Sequence, residues 1–359
     1  MVMRGVAHLA DAFRWSTRKD LDGPAMVALA LGTGAPILLA AVYGTMPWGM
    51  AAALGALMAG NARTGPSFAT HVQNVIEVLA AATMAAIAAG IVAGQAWWTD
   101  VAVSVLACFA ATIGGYSRPL AVGSGRFIVF LVITIGLMDA TQDRLGLLAL
   151  ITAGAVWASA LILVSGVLFR GLKWIDSGTS ERRSAATAAQ KFRRWKGTLK
   201  GYDGWQYAVR LALTLGPASV LRLEWPSHHF RWIALTVAIL CHRQRDAMPI
   251  KITQRAVGAM LGVAATSLLI GRSLPGWAIA GVVAALAGPG PWLRTQNYLA
   301  YTTTMTPLII LLFDGGKPVE PDTLVDRLIA TLIGAILVIL ANVLTAGLVS
   351  PVAWIRKPR

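Results

Sequence analysis

Four arginines in this 359-residue chain stand within or beside long hydrophobic stretches: Arg126, Arg210, Arg255 and Arg327. A guanidinium is a planar fork of N–H donors that stays charged, and it grips a carboxylate through two parallel hydrogen bonds. Charge inside an apolar span is costly, so such a side chain faces a cavity or a partner. The chemistry these residues suit is replacement of an anion's hydration shell. Structural roles stand beside it: Arg255 and Arg327 can snorkel to an interface or cap a neighbouring helix, and Arg210 can pair with Glu77. Asn297 and Tyr298 offer neutral hydrogen bonds to a carboxylate or an aromatic hydroxyl, or else join helices. Glu77 is the one acid near the interior of a first-half apolar run. Burial raises a carboxyl pKa, which makes Glu77 the candidate for proton coupling, with a salt bridge as the other reading.

The elements that must position these groups are membrane helices. The chain is 56% hydrophobic and 13% charged, whereas soluble domains carry roughly a quarter charged residues. Apolar blocks at 25–43, 78–94, 147–169 and 328–349 approach or exceed the ~20 residues that cross a bilayer core. The alternating ~10-residue segments of a transmembrane β-barrel do not occur. The expected fold is all-α: a polytopic membrane protein with about twelve transmembrane helices, near 24–44, 46–60, 75–94, 98–115, 119–138, 146–169, 205–222, 230–242, 254–272, 275–290, 296–313 and 325–349.

The net charge of +15 would suggest nucleic acid in a soluble protein, but its distribution gives another reason for it. With both termini on the cytoplasmic side, twenty-four of the 31 Lys and Arg lie inside and six outside, and Arg210 lies within a span. That asymmetry follows the positive-inside rule. It explains the basic hinge of His242, Arg243, Arg245 and Lys251, with its single acid Asp246, as a topology anchor. No nucleic-acid-binding motif is present, so no nucleic-acid partner is expected. The expected partners are membrane lipids and a small organic anion. Residues 1–22 are charged throughout and lack the apolar core of a cleavable signal.

Cys108 and Cys241 sit in apolar runs and read as small hydrophobes. His228-His229 has no Asp, Glu or Cys at metal spacing and reads as a surface loop pair, so no metal site is expected. No phosphate loop, HExxH or Gly-x-Ser-x-Gly motif occurs. Neither enzyme chemistry nor a cofactor is expected.

The chain also repeats itself. Phe13-Arg14-Trp15 before Asp22-Gly23 answers Phe192-Arg193-Arg194-Trp195 before Asp203-Gly204. Residues 73–90 align without a gap to 254–271. Two six-span units in tandem have the same orientation, the parallel type of transporter repeat. The expected organisation is an arm over 1–22, a first six-helix repeat over 23–170, a basic linker over 171–204, a second repeat over 205–349 and a basic tail over 350–359. Within the linker, 184–199 can form a surface helix with Phe192 and Trp195 toward lipid and Arg193, Arg194 and Lys196 toward headgroups. A fused pair of repeats can replace a dimer; the oligomeric state stays open.

Arg255-x-x-Gly258-x-x-x-Gly262, Asn297-Tyr298 and Arg327-x-x-x-Thr331-x-x-Gly334, preceded by Trp232-x-x-Leu235-Thr236, resemble the fusaric acid resistance family of inner-membrane proteins. Gly258, Gly262 and Gly334 read as helix-packing positions. The resemblance is clearest over 205–349. It implies export of organic, often aromatic, carboxylic acids through a path between the repeats, with Arg126, Arg210, Arg255, Asn297, Tyr298 and Arg327 as substrate-binding candidates. One departure stands out: larger family members carry a sizeable soluble region, and this sequence has none.

Overall fold

The computed structural model describes residues 13, 15, 16 and 21–355, apart from 61, 63, 64, 66, 95, 96, 139, 140, 142, 172–186, 227, 244–247, 270–273, 316, 318 and 319. Arg245 and Asp246 of the basic hinge therefore lie outside the described residues. Fourteen α-helices and no strand occur among those described. The first six are α1 (Gly23–Val42), α2 (Met46–Ala59), α3 (Phe68–Val92), α4 (Trp97–Ile113), α5 (Arg118–Met138) and α6 (Arg144–Arg170). A linker helix follows, α7 (Ala188–Leu199). The rest are α8 (Tyr202–Glu224), α9 (Arg231–Leu240), α10 (Met248–Leu269), α11 (Gly276–Ala287), α12 (Gly290–Gln296), α13 (Tyr298–Phe313) and α14 (Pro321–Ile355).

Among the described residues, six stretches are long and apolar enough to cross a membrane: Gly23–Val42, Phe68–Val92, Arg118–Met138, Arg144–Phe169, Gly276–Gln296 and Pro321–Ala346. Helices α2, α4, α9 and α13 are apolar but shorter. Large apolar side chains such as Leu39, Ile91, Phe109, Leu168 and Val343 point outward. On a water-soluble protein that surface would drive aggregation, and in a bilayer it is the lipid face.

Helix starts are set by short polar side chains. The carboxylates of Asp22 and Asp143 accept from the Ala25 and Gly146 amides, and Ser67 accepts from Thr70. Each satisfies an N–H that the first turn leaves unbonded. The Ser67 cap starts α3 at Phe68, well ahead of its apolar stretch, and α10 likewise begins at Met248. Hydropathy marks where a span becomes oily, not where the helix begins. Lys251 and Arg255 consequently ride on α10. The span expected over 275–290 is α11, and beyond Gly288-Pro289 a short helix that the sequence reading did not foresee, α12, precedes α13.

Helix α2 packs on α6, α3 on α5, and α10 on α13. A Cβ on Gly55 would collide with the Ile151 backbone, and one on Gly154 with that of Ala52. Only glycine lets α2 and α6 approach so closely. The largest contacts between the halves are α1 against α11 and α4 against α8. The second carries an ion pair, Arg222 to Asp100 at 2.6 Å. Prolines lie inside α1, α8 and α13, at Pro36, Pro217 and Pro307.

Helix α7 starts at a capping box between Thr187 and Gln190. Its Phe192 is exposed, but Trp195 turns inward. The Trp195 indole N–H donates to the Thr112 carbonyl at 3.1 Å, and its ring meets Tyr116 edge-on. The expectation that both aromatics face lipid thus holds in geometry for Phe192 only. Trp195 instead closes the end of α4, where its donor shares the Thr112 carbonyl with the Gly115 amide.

Candidate functional site

Helices α9, α10 and α14 meet in the second half of the chain. Trp232 opens α9 and is 3% exposed. The Arg327 guanidinium lies over its ring, 4.1 Å from the centroid. Arg327 itself is 0% exposed and Arg255 2%. Neither guanidinium reaches the protein surface, which removes the snorkelling reading for both. Arg327, counted from sequence among the outer hinge charges, belongs to the interior of α14. The two charges lie within mutual electrostatic reach, and Arg255 also senses the Tyr298 hydroxyl.

The donors set this place apart. Nε, Nη1 and Nη2 of Arg327, and Nε and Nη2 of Arg255, have no hydrogen-bond partner among the described residues. The same holds for Trp232 Nε1 and Thr236 Oγ1. Buried polar groups are nearly always bonded, and an uncompensated buried charge costs several kcal/mol. Two like charges in mutual reach raise that cost. The missing complement is an acceptor with negative charge. An indole face beside a guanidinium fork further suits a flat, partly apolar anion.

Close helix approach holds the site. A Cβ on Gly258 would lie 2.8 Å from Thr302 Cβ and 2.9 Å from the Leu299 carbonyl oxygen. One on Gly262 would lie 2.6 Å from Thr306 Cβ. One on Gly334 would lie 2.8 Å from Thr236 Cβ. Thr302 and Thr306 return their own hydroxyls to carbonyls one turn back, Tyr298 and Thr302. These threonines therefore present methyl groups to the glycine faces without stranding a hydroxyl.

The surroundings of the two arginines differ at their two ends. At the hinge end, His242 is surrounded by cations. Burial first, then the charges of Lys251, Arg294 and Arg210, hold its pKa down at about 4. It is neutral at pH 7. Arg243 donates to the Ala111 carbonyl and lies over the Tyr207 ring. Burial also lowers the Arg243 pKa. Lys251 precedes Arg255 by about one turn of α10. At the opposite end, a cavity of about 70 Å³ is lined by His229, Arg231, Trp232, Asp314 and Thr323, among others. Burial raises the Asp314 pKa to about 6, opposed by His229 and Arg231 and assisted by Glu320.

The remaining candidates do not join Arg255 and Arg327. Arg210 is buried, and its fork is used: Nη1 donates to Asn342 Oδ1 at 2.9 Å, Nε to the Gln206 carbonyl and Nη2 to the Arg243 carbonyl. It clamps α8 to α14 and the hinge. Glu77 accepts from Gln73 Nε2 at 3.1 Å, one turn earlier on α3. Asn297 caps α13 by accepting from the Ala300 amide, and its Nδ2 donates to the Phe13 carbonyl. Arg126 is half-buried on α5, which packs mainly on α3, α4 and α9. The His228-His229 pair is not a free loop pair: both Nδ1 atoms meet Asp326, at 2.8 and 3.1 Å. The sequence reading missed Asp326, Asp314 and Asn342. Asn342 was findable as a lone amide inside an apolar span, and Asp326-Arg327 as a charged pair opening one.

No curated protein and no solved structure matches the chain. A family match covers residues 211–341, a segment that includes Trp232, Arg255, Asn297, Tyr298 and Arg327. The apolar spans make this a multi-pass membrane protein, and its residues 211–341 are similar to the fusaric acid resistance protein-like family.

Proposed function

We propose that this protein exports organic carboxylates, aromatic ones foremost, across the bacterial inner membrane, with both termini in the cytoplasm. One observation carries the proposal: the buried Arg255–Arg327 pair beside the Trp232 ring, in which all three Arg327 guanidinium nitrogens and two of Arg255 lack acceptors among the described residues. The charge gradient around it supports a direction. Lys251, Arg294 and Arg243 cluster at the hinge end, where a cationic mouth concentrates anions. The route then runs from Arg255 to Arg327, past Trp232, to the cavity that holds Asp314. Such a path lies within the second half, rather than along an axis between halves. It reaches the first half where Gly136 and Leu137 of α5 border the cavity.

The proposal includes two six-helix repeats, α1–α6 and α8–α14 with α11 and α12 counted as one span. Pro36 and Pro217 fall at equivalent places in α1 and α8. The packing is reciprocal: α1 on α11 answers α8 on α4, and α2 on α13 answers α9 on α5. At the positions of Arg255 and Gly258 the first half has Asn74 and Glu77, so only one repeat would carry the anion.

The test is efflux of labelled benzoate and of an aliphatic carboxylate from proteoliposomes, comparing the natural protein with R255A and R327A. The expected result is benzoate efflux that both substitutions abolish while expression and folding persist. Efflux unchanged by either substitution refutes the assignment.

A further inference from the structure

The cavity beside Trp232 carries more than an exit. Trp232 serves two places at once: its ring lies under the Arg327 guanidinium, and it walls the cavity that Asp314 lines. Phe313, the residue before Asp314, touches the same indole at 4.6 Å between ring centroids. An anion on the arginines and the Asp314 carboxyl are therefore neighbours across a single side chain. Asp314 Oδ2 is buried and has no hydrogen-bond partner among the described residues.

The charged groups around Asp314 come from each element near it. The loop between α8 and α9 supplies His229, and α9 supplies Arg231. The loop between α13 and α14 supplies Glu320, and the Lys317 amide bonds to the Asp314 carbonyl. Helix α14 supplies Asp326, whose two oxygens are taken by His228 and His229. Helix α5 offers only the Gly136 carbonyl, which accepts from Arg231 at 2.9 Å. Two of these basic side chains are thus partly committed, His229 to Asp326 and Arg231 to a carbonyl, while Asp314 keeps a bare oxygen.

We infer that Asp314 is a proton-binding group coupled to the arginine site, so that a proton on Asp314 and a carboxylate on Arg255 and Arg327 each strengthen the other's binding. The inference rests on the proposed anion site. Its physical basis is repulsion through a dry wall: the ionised carboxyl opposes an anion behind Trp232, and the neutral carboxyl does not. Because the coupling is an equilibrium property, it is reciprocal: the anion must raise the proton affinity of Asp314 by the same factor. A carboxyl pushed up to about 6 by burial titrates within the range of cellular and external pH.

The experiment is calorimetric titration of the full-length protein in lipid nanodiscs with benzoate, in buffers of differing ionisation enthalpy. For the natural protein, benzoate is expected to bind at least about threefold more tightly at about pH 5.5 than at about pH 7.5, with uptake of a fraction of a proton near pH 6. D314N, and D314S as a second variant in case one fails to fold, should bind with the low-pH affinity at both values and take up no proton. H229Q should keep the pH dependence. A pH dependence retained in both Asp314 variants, or lost in H229Q alone, overturns the inference and leaves the anion site standing. Absence of benzoate binding at either pH overturns the anion site and the coupling with it.

Discussion

Replacing Arg327 with methionine tests the buried guanidinium without asking for transport. Methionine has similar length and reach, and it needs no acceptor. The side chain it replaces is fully buried, and its three nitrogens have no partner among the described residues. An uncompensated buried charge costs about 3–5 kcal/mol, and the stacking of Arg327 on Trp232 returns about 2 kcal/mol when desolvated. The difference leaves R327M more stable than the natural protein by about 1–3 kcal/mol, with Arg255 relieved of a like charge as well. For a protein of this size each kcal/mol moves the unfolding midpoint by roughly 1–2 °C. The assay is thermal unfolding followed by tryptophan fluorescence in detergent, in a buffer low in small anions. Benzoate then reverses the order. At about a hundred times its dissociation constant it stabilises the natural protein by about 2.7 kcal/mol and R327M not at all. A variant less stable than the natural protein, with an undiminished benzoate shift, would refute both the energetic reasoning and the site.

Two further substitutions probe the frame around the site. G258A places a methyl group 2.8 Å from Thr302 Cβ and 2.9 Å from a backbone oxygen; overpacking of this kind costs about 1–3 kcal/mol, so the midpoint should fall, and an unchanged midpoint would mean that α10 and α13 slide apart freely. N342L removes the 2.9 Å acceptor of buried Arg210; a hydrogen bond to a charged group contributes about 1.5–3 kcal/mol, so unfolding should begin at lower temperature, and a stability matching the natural protein would show that the remaining carbonyl acceptors suffice.

Most of the helical frame was legible because lipid imposes a simple requirement, an apolar run of sufficient length, on the chain. What hydropathy could not give was where polar turns join those runs, as at Phe68 and Met248. Nor could it reveal the short helix α12 that follows Gly288-Pro289. Arg255 and Arg327 were visible as charges bordering oily sequence. Their meeting was not, because an all-apolar helix carries no signal of its rotation. The charge count also misled at Arg327, since proximity to a loop in sequence was taken for proximity to water. Glu77 shows the converse. Its partner Gln73 sits one turn away, and that ordinary local bond was available from spacing alone. The acid with the more unusual setting is Asp314, at the end of α13, in a stretch that read as polar loop.

Pro36 and Pro217 have a mechanical consequence. A proline within a helix has no N–H to give, so the carbonyl four residues earlier goes without its usual bond and the ring pushes the preceding turn aside. The carbonyls concerned belong to Gly32 and Leu213. Helices α1 and α8 are therefore softest to bending near mid-length, and α1 leans on α11 as α8 leans on α4. A flexure of either helix is transmitted to a helix of the other half, so the two halves deform as a linked pair of levers rather than as independent bundles.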